Sequence, residues 1–276
     1  MSMSKFGVAA LAAIVAGGLA APAMAADVME PPVIEAAPPQ AVYEDVAVGG
    51  WYIRGDIDYH WSNFRGANYI LYGAPGELGE FDFGDLKGAF SIGGGVGYQV
   101  NQYFRTDLTA DWLFGSDFRG QTTGFCGTGA ACVSVDNSSY SALLLLANAY
   151  VDLGTYAGIT PYIGAGIGGA RVDWDDLVNE TDDGSFAHEG GSDWRFAYAA
   201  MVGASYCLTH NAKLDVGYRY SRVEGGRMFG YSTNAGPGYD DGIDVHEVRG
   251  GLRYEFGQSD CAEPAPIVYE PAPIYK

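Results

Sequence analysis

Hydrophobic and polar residues alternate with period two along most of the chain beyond residue 50. The segment Asp244 to Phe256, D-V-H-E-V-R-G-G-L-R-Y-E-F, splits cleanly by alternate positions. Val248, Gly250, Leu252, Tyr254 and Phe256 form an apolar row, while Glu247, Arg249, Gly251, Arg253 and Glu255 form a charged one. Period two is the signature of a two-faced β-strand. The same pattern predicts strands over Trp51–Ser62, Gly88–Val100, Tyr103–Gly115, Tyr140–Leu153, Ile159–Asp173, Trp194–Cys207 and Lys213–Val223. With Asp244–Phe256 that makes eight.

The connections between these strands discriminate the fold. The second and third, fourth and fifth, and sixth and seventh strands are joined by short turns. The other connections, Asn63–Lys87, Ser116–Ser139, Trp174–Asp193 and Glu224–Ile243, are long. Alternating short and long connections with an even strand number predict an all-β, antiparallel up-and-down transmembrane β-barrel with short periplasmic turns and four long external loops. A soluble sandwich has no reason to sort its loops in this way. From Trp51 to Trp61 the strand rises ~33 Å, or ~25 Å along the membrane normal at a tilt of about 40°, which matches the apolar band of such a barrel.

Charge tells the inside from the outside. Arg54, Arg105, Arg219, Arg249 and Arg253 all fall opposite the aromatic rows, together with Asp56, Asp58, Asp107, Asp111, Asp152, Asp215, Glu247 and Glu255. An Arg facing lipid at mid-membrane costs about 2–4 kcal/mol, so this row faces the lumen. An eight-stranded barrel has an interior just filled by side chains. Charges of both signs in so narrow a space should pair, and a plugged lumen is expected. Arg171 is the exception by parity and lies at the outer end of its strand.

Residues 1–25 read as a cleavable export signal, with Lys5, an apolar run from Phe6 to Ala20, and Ala23-Met24-Ala25 as the cleavage site. The Pro-rich segment 29–45 is expected to be extended. The chain is acidic, with 34 Asp plus Glu against 15 Lys plus Arg and a formal net charge of −19, which argues against nucleic acid as a partner. Four cysteines in an exported chain point to disulfides rather than metal ligands. Cys126 and Cys132 bracket a flexible G-T-G-A-A, which leaves Cys207 and Cys261 as the second pair among three connectivities.

G-G-W-Y-I-R-G-D-I-D-Y at the start of the predicted barrel and R-G-G-L-R-Y-E-F at its close, after an export signal and an acidic Pro-rich start, resemble the opacity-like outer-membrane β-barrel proteins of alphaproteobacteria. These are surface antigens of eight-stranded, OmpA-like architecture, and the resemblance spans residues 26–276. It implies an outer-membrane location with both termini periplasmic, and lipid and lipopolysaccharide as surroundings. It also implies recognition by the barrel-assembly machinery through the closing aromatic. That signal ordinarily ends the protein, whereas here a further segment with E-P-A-P-I-V-Y-E-P-A-P-I-Y-K follows Phe256. Relatives whose mature chain begins Ala-Asp are candidates for attachment to peptidoglycan, which here points to Ala26 and Asp27.

Candidate chemistry is sparse. The glycines in Gly93–Gly97 and Gly164–Gly169 precede strand rather than helix, so they indicate close packing and not a phosphate cradle. Asn179-Glu180-Thr181-Asp182-Asp183-Gly184 is a near miss to a calcium loop, displaced by one ligand position. His60 and Ser62 share a face near the outer rim, as a serine hydrolase would require, without an assignable acid. His188, Tyr231 and Tyr239 are loop residues that a surface ligand such as haem would need. The expected function is non-enzymatic and cofactor-free: a monomeric structural barrel supporting envelope integrity. A narrow porin, or an adhesin or haem-binding protein acting through its loops, is the alternative.

Overall fold

From Tyr52 to Ser62 every second residue is buried and those between are exposed, so the alternation of the sequence becomes an alternation of two environments. The computed structural model describes residues 49–71, 78–125, 131–232, 235–257 and 259–261, all within one unit, Val42–Val268. The expected export signal, the Pro-rich segment and the tail beyond Cys261 lie outside the described residues.

The strands are β1 (Gly50–Phe64), β2 (Ala67–Leu71), β3 (Leu78–Glu80), β4 (Phe83–Leu86), β5 (Ala89–Asn101), β6 (Phe104–Phe125), β7 (Ala131–Asp152) and β8 (Ile159–Trp174). They continue with β9 (Leu177–Thr181), β10 (Gly184–His188), β11 (Ser192–Cys207), β12 (Ala212–Val223), β13 (Gly226–Phe229), β14 (Ala235–Asp240) and β15 (Ile243–Glu255). Eleven belong to one antiparallel sheet in the order β10-β9-β7-β8-β11-β12-β15-β1-β5-β6-β4, and β6 also pairs with β7. That last pairing joins β1, β5, β6, β7, β8, β11, β12 and β15 into a closed ring. The other four strands form a second sheet, β13-β14-β2-β3.

The expected eight strands recur as the ring, but the main sheet is larger, with eleven strands, and the four long external connections expected as loops carry strands of their own. Three further strands join the main sheet, and most of the described residues within 63–87, 116–139, 174–193 and 224–243 lie in strands. The physical reason lies at a register shift between Leu113 and Ser116 on β6. Before it, odd-numbered residues point inward; after it, Ser116, Phe118 and Thr122 are the buried ones. The outward residues turn polar at the same place, so the apolar lipid-facing row that identifies a transmembrane strand stops while the strand continues.

Along the ring the usual distribution of a soluble protein is inverted. Trp51 (64% exposed), Ile57 (67%) and Leu108 (62%) point out, whereas Arg105, Arg219 and Arg253 are among the most deeply buried side chains. An apolar belt of this extent is stable only against lipid. Aromatics mark its two edges: Trp51 packs against Tyr98 at 5.4 Å near the short turns, and Trp61 stacks on His246 at 5.6 Å near the other end. Inside, close approach requires glycine. A Cβ on Gly168 would meet the Leu145 carbonyl oxygen at 1.9 Å, and one on Gly97 would meet the Tyr52 ring at 2.3 Å.

Beyond the belt the β6–β7 hairpin continues for roughly 25–30 Å, flanked by β4 and β9–β10. Phe64, Phe81, Phe118, Trp174 and Phe229 fill the space beneath the second sheet, in ring contacts such as Phe64–Phe118 at 4.8 Å and Phe118–Trp174 at 5.6 Å. The long-connection end is thus a folded cap with its own apolar core. Arg195 ties it to the ring: its Nη1 donates to both Asp240 carboxylate oxygens at 2.8 Å and its Nη2 to the Arg227 carbonyl at 2.8 Å.

His188 lies within this cap, its ring 4.9 Å from Phe229 and its Nδ1 3.3 Å from the Gly230 carbonyl oxygen. Burial lowers its pKa below the ordinary 6.5, against a smaller opposing pull from that carbonyl. The unfolded cap then binds more protons than the folded one just below that value. Cap stability is complete above about pH 6.5 and falls as the pH is lowered through the histidine range. Limited proteolysis within residues 177–191 should accelerate on acidification, and His188→Gln should flatten that dependence.

Candidate functional site

The inward rows of β1, β6, β7, β12 and β15 bring charged residues from five strands into one interior. All thirteen lumen residues expected from the sequence, Arg54, Asp56, Asp58, Arg105, Asp107, Asp111, Asp152, Asp215, Arg219, Glu247, Arg249, Arg253 and Glu255, are buried. Most are linked through contacts between residues far apart in sequence. Arg219 pairs with Glu247 and, at 2.8 Å, with Asp111. Asp111 accepts from Arg249 at 3.0 Å, and Arg249 reaches Asp58 at 3.1 Å and Asp56 at 3.3 Å. Asp56 holds Arg54 at 2.7 Å, and Arg54 donates to Asp107 at 3.2 Å. The result is a chain of alternating sign, Glu247–Arg219–Asp111–Arg249–Asp56–Arg54–Asp107. Tyr52 and Asn148 add hydrogen bonds of 3.0 and 2.7 Å to Asp107.

Nearer the short turns, Arg105 bonds Asp152 at 3.1 Å while its guanidinium lies 4.0 Å from the Tyr150 ring centre and 4.6 Å from that of Tyr162. Stacking between two rings supplies cation–π attraction in a desolvated setting. Arg253 lies 3.5 Å from Asp215 and 3.7 Å from Glu255. Lys213 bonds Glu255 at 3.3 Å and also Asp260. Sequence reasoning passed over Lys213, although it shares the parity of Asp215 and Arg219 and so belonged to the inward row. Asp260 had no such signal, because it follows the last strand. Burial pushes its carboxyl up, but the Lys213 charge and hydrogen bonds from Lys213 and Thr155 bring it below the ordinary 3.8. The disulfide Cys207–Cys261, with Cα atoms 5.7 Å apart, anchors this segment beside the end of β11. Cys132 is disulfide-bonded, and Cys126, its expected partner, lies outside the described residues, as do Ala26 and Asp27.

Toward the cap the interior changes from charged to apolar. Leu113, Leu144, Leu146, Met201, Val223 and Val245 line it, all buried. This layer carries no charge, so the charged rows that mark the lumen in the sequence do not reveal it. His60 and Ser62 both point into this region, where Ser62 shares a 2.5 Å hydrogen bond with the Tyr140 hydroxyl and His60 is fully buried. Buried in this way, they lack the open rim position that a hydrolase pair would need. His188, expected as an exposed loop ligand, is part of the cap core, whereas Tyr231 and Tyr239 are exposed. The near-calcium segment forms β9 and the turn into β10, and Asn179 is engaged with Asp136 at 2.6 Å. Among the described residues no group of three or more His, Cys, Asp or Glu is arranged to hold a metal ion. Arg171 points outward near the rim, 3.4 Å from Asp173.

Removing one partner of a buried ion pair leaves the other uncompensated, at a cost of about 3–5 kcal/mol, while an exposed pair contributes about 0–1 kcal/mol. Arg219→Leu should therefore lower the unfolding midpoint in urea and detergent markedly, with loss of heat-modifiable mobility, whereas Arg171→Leu should leave both nearly unchanged.

Comparison with known proteins agrees with this architecture. Residues 11–256 match the model of the outer membrane protein beta-barrel domain. An uncharacterized protein of Brucella abortus is 38% identical over 270 residues, covering 85% of this chain and 93% of its own. The outer membrane protein PagN of Salmonella typhimurium is 29% identical over 143 residues, 49% of this chain and 57% of that one. Among solved structures, the outer membrane protein OprG from Pseudomonas aeruginosa aligns with a TM-score of 0.49 at 15% identity, over 76% of this chain and 97% of that one. The chain belongs to the outer membrane protein beta-barrel domain family.

Proposed function

We propose that this protein is a structural, surface-exposed barrel of the opacity-like kind that supports the integrity of the outer membrane. In this reading the eight-membered ring spans the membrane, the short turns and both termini face the periplasm, and the cap stands outside. The observation that carries it is the filling of the interior. A buried, sign-alternating ion network occupies the half near the short turns, and an apolar layer with an aromatic cap occupies the other. Such an interior suits a rigid membrane element. Among the described residues it offers neither a water-lined path, as a porin would need, nor an open catalytic cleft. Attachment of the wall through Ala26 and Asp27 belongs to the same reading, since it would couple a rigid barrel to a rigid sacculus.

The refolded full chain in a planar bilayer should show no steady single-channel conductance; regular open steps would instead favour the narrow-porin alternative. Sacculi purified after boiling in detergent should retain the protein covalently, and Asp27→Ala should reduce that retention. Sacculi free of the wild-type protein would remove the tether from the proposal.

A further inference from the structure

His60 stands at the boundary between the two halves of the interior. It shares a register row with two members of the ion network, Glu247 on β15 and Arg219 on β12. The next inward row, Ser62, Val245 and Ser221, contributes Val245 to the apolar layer. The imidazole is fully buried, and among the described residues neither Nδ1 nor Nε2 has a hydrogen-bond partner. A titratable ring is thus set into the closure of the lumen without a bond to hold it.

The charged groups that face it from the neighbouring strands are already engaged. Glu247 accepts from Arg219 Nε and, at 2.8 Å, from Arg219 Nη2, with Ser91 of β5 donating at 3.4 Å. Arg219 Nη1 donates to Asp111 of β6 at 2.8 Å. On the same strand as His60, Asp58 is held through Oδ2 by Arg249 at 3.1 Å. β7 presents Leu144 and Tyr140, whose hydroxyl is bonded to Ser62. A neutral imidazole is tolerated here as a flat, largely apolar ring. An imidazolium is not, because it carries two N–H donors and an unpaired charge in an apolar interior is among the costliest things a fold can hold.

Protonation leaves two routes of relief. Water enters beside the ring, where Asp58 Oδ1 and Ser221 Oγ are also buried without partners and supply the polar contacts that an internal water needs. Alternatively, Glu247 leaves Arg219 for the imidazolium, which opens the network at the row adjoining the apolar layer. Both routes wet that layer, and an apolar constriction closes a pore only while it is dry. The cap stands in series above it and contains its own buried histidine, His188, whose protonation loosens the cap in the same direction of pH.

We propose that His60 is the acid sensor of the lumen seal: protonation of its ring wets the apolar layer, and with the cap loosened the barrel passes small inorganic ions. This rests on the reading above that the interior is closed at neutral pH.

The test is single-channel recording of the refolded full chain in phosphatidylcholine bilayers with potassium chloride on both sides, between about pH 7.5 and about pH 4.5, a span that includes the histidine charge change. Wild type should be silent at the neutral end and open in acid, its open fraction rising about tenfold over the unit in which one proton is taken up. His60→Gln fills the site without accepting a charge and should stay silent throughout, with His60→Asn as a second uncharged variant. Heat-modifiable mobility at both ends of the range confirms that each variant is folded. Acid-induced opening that survives in either folded variant would overturn the proposal, and its loss in His188→Gln alone would place the sensor in the cap. Wild type that stays closed across the whole range would also overturn it, while leaving the closed-barrel reading intact. Steady conductance of wild type at neutral pH would instead remove that reading, and the acid sensor with it.

Discussion

Ring closure is the constraint on which the rest of this structure depends. In hydrocarbon an unpaired backbone N–H or C=O costs several kcal/mol and water cannot repair it, so every strand in the belt needs two neighbours. β15 supplies the last pairing, lying against β12 on one side and β1 on the other, in register from Tyr52↔Glu255 to Phe64↔Ile243. Closure divides the side chains of each strand between lipid and a narrow interior with no third option. Arg249 thus meets Asp58, 191 positions away in sequence, because both had to leave the lipid and only one enclosed space was open to them.

Charges enclosed in that way contribute less to net stability than their number suggests. Taking ions out of water carries a penalty that pairing roughly offsets, and a well-packed apolar interior can be as stable. What the network adds is specification of register. A one-residue slip of β12 against its neighbours would turn Arg219 outward and break its pairs with Asp111 and Glu247. At about 2–4 kcal/mol for an Arg facing lipid, with an unpaired carboxylate left behind, the slipped pairing is excluded. The pairs join strands that are not all adjacent in sequence, as in Arg54 with Asp107, so they check the whole circumference rather than one hairpin.

What could be seen in the sequence follows from the same partition. In the belt the outward row must be apolar and the charges must go inward, so alternation plus the positions of five arginines was enough to locate ring strands and lumen residues. Lys213 is legible by parity, since it shares the inward row of Asp215 and Arg219. The cap was not legible from the same pattern. Its strands carry polar residues outward and apolar ones inward, and several are short, such as β3 and β13. Asp117, Arg119 and Gln121 therefore looked like loop. Phe118 and Trp174 looked unremarkable until tertiary structure set them edge to face at 5.6 Å. Asp260 lay beyond any period, since its place is set by Cys207–Cys261 and Lys213.

The shift between Leu113 and Ser116 is where the chain reconciles two solvents. On one side of it, β6 must show lipid Trp112 and Phe114 and hide Asp107 and Asp111. On the other it must show water Arg119 and Gln121 and hide Phe118. A strand with unbroken parity could reverse its polarity only by changing residue types on both faces at once. The register shift reassigns the faces within the Leu113–Ser116 step, leaving the β6–β7 ladder hydrogen-bonded on either side. The ring can then extend past the membrane without a loose junction, and the cap inherits the stiffness of the barrel. Polar side chains on that extension are consequently held at a set height above the lipid, which a mobile loop could not do.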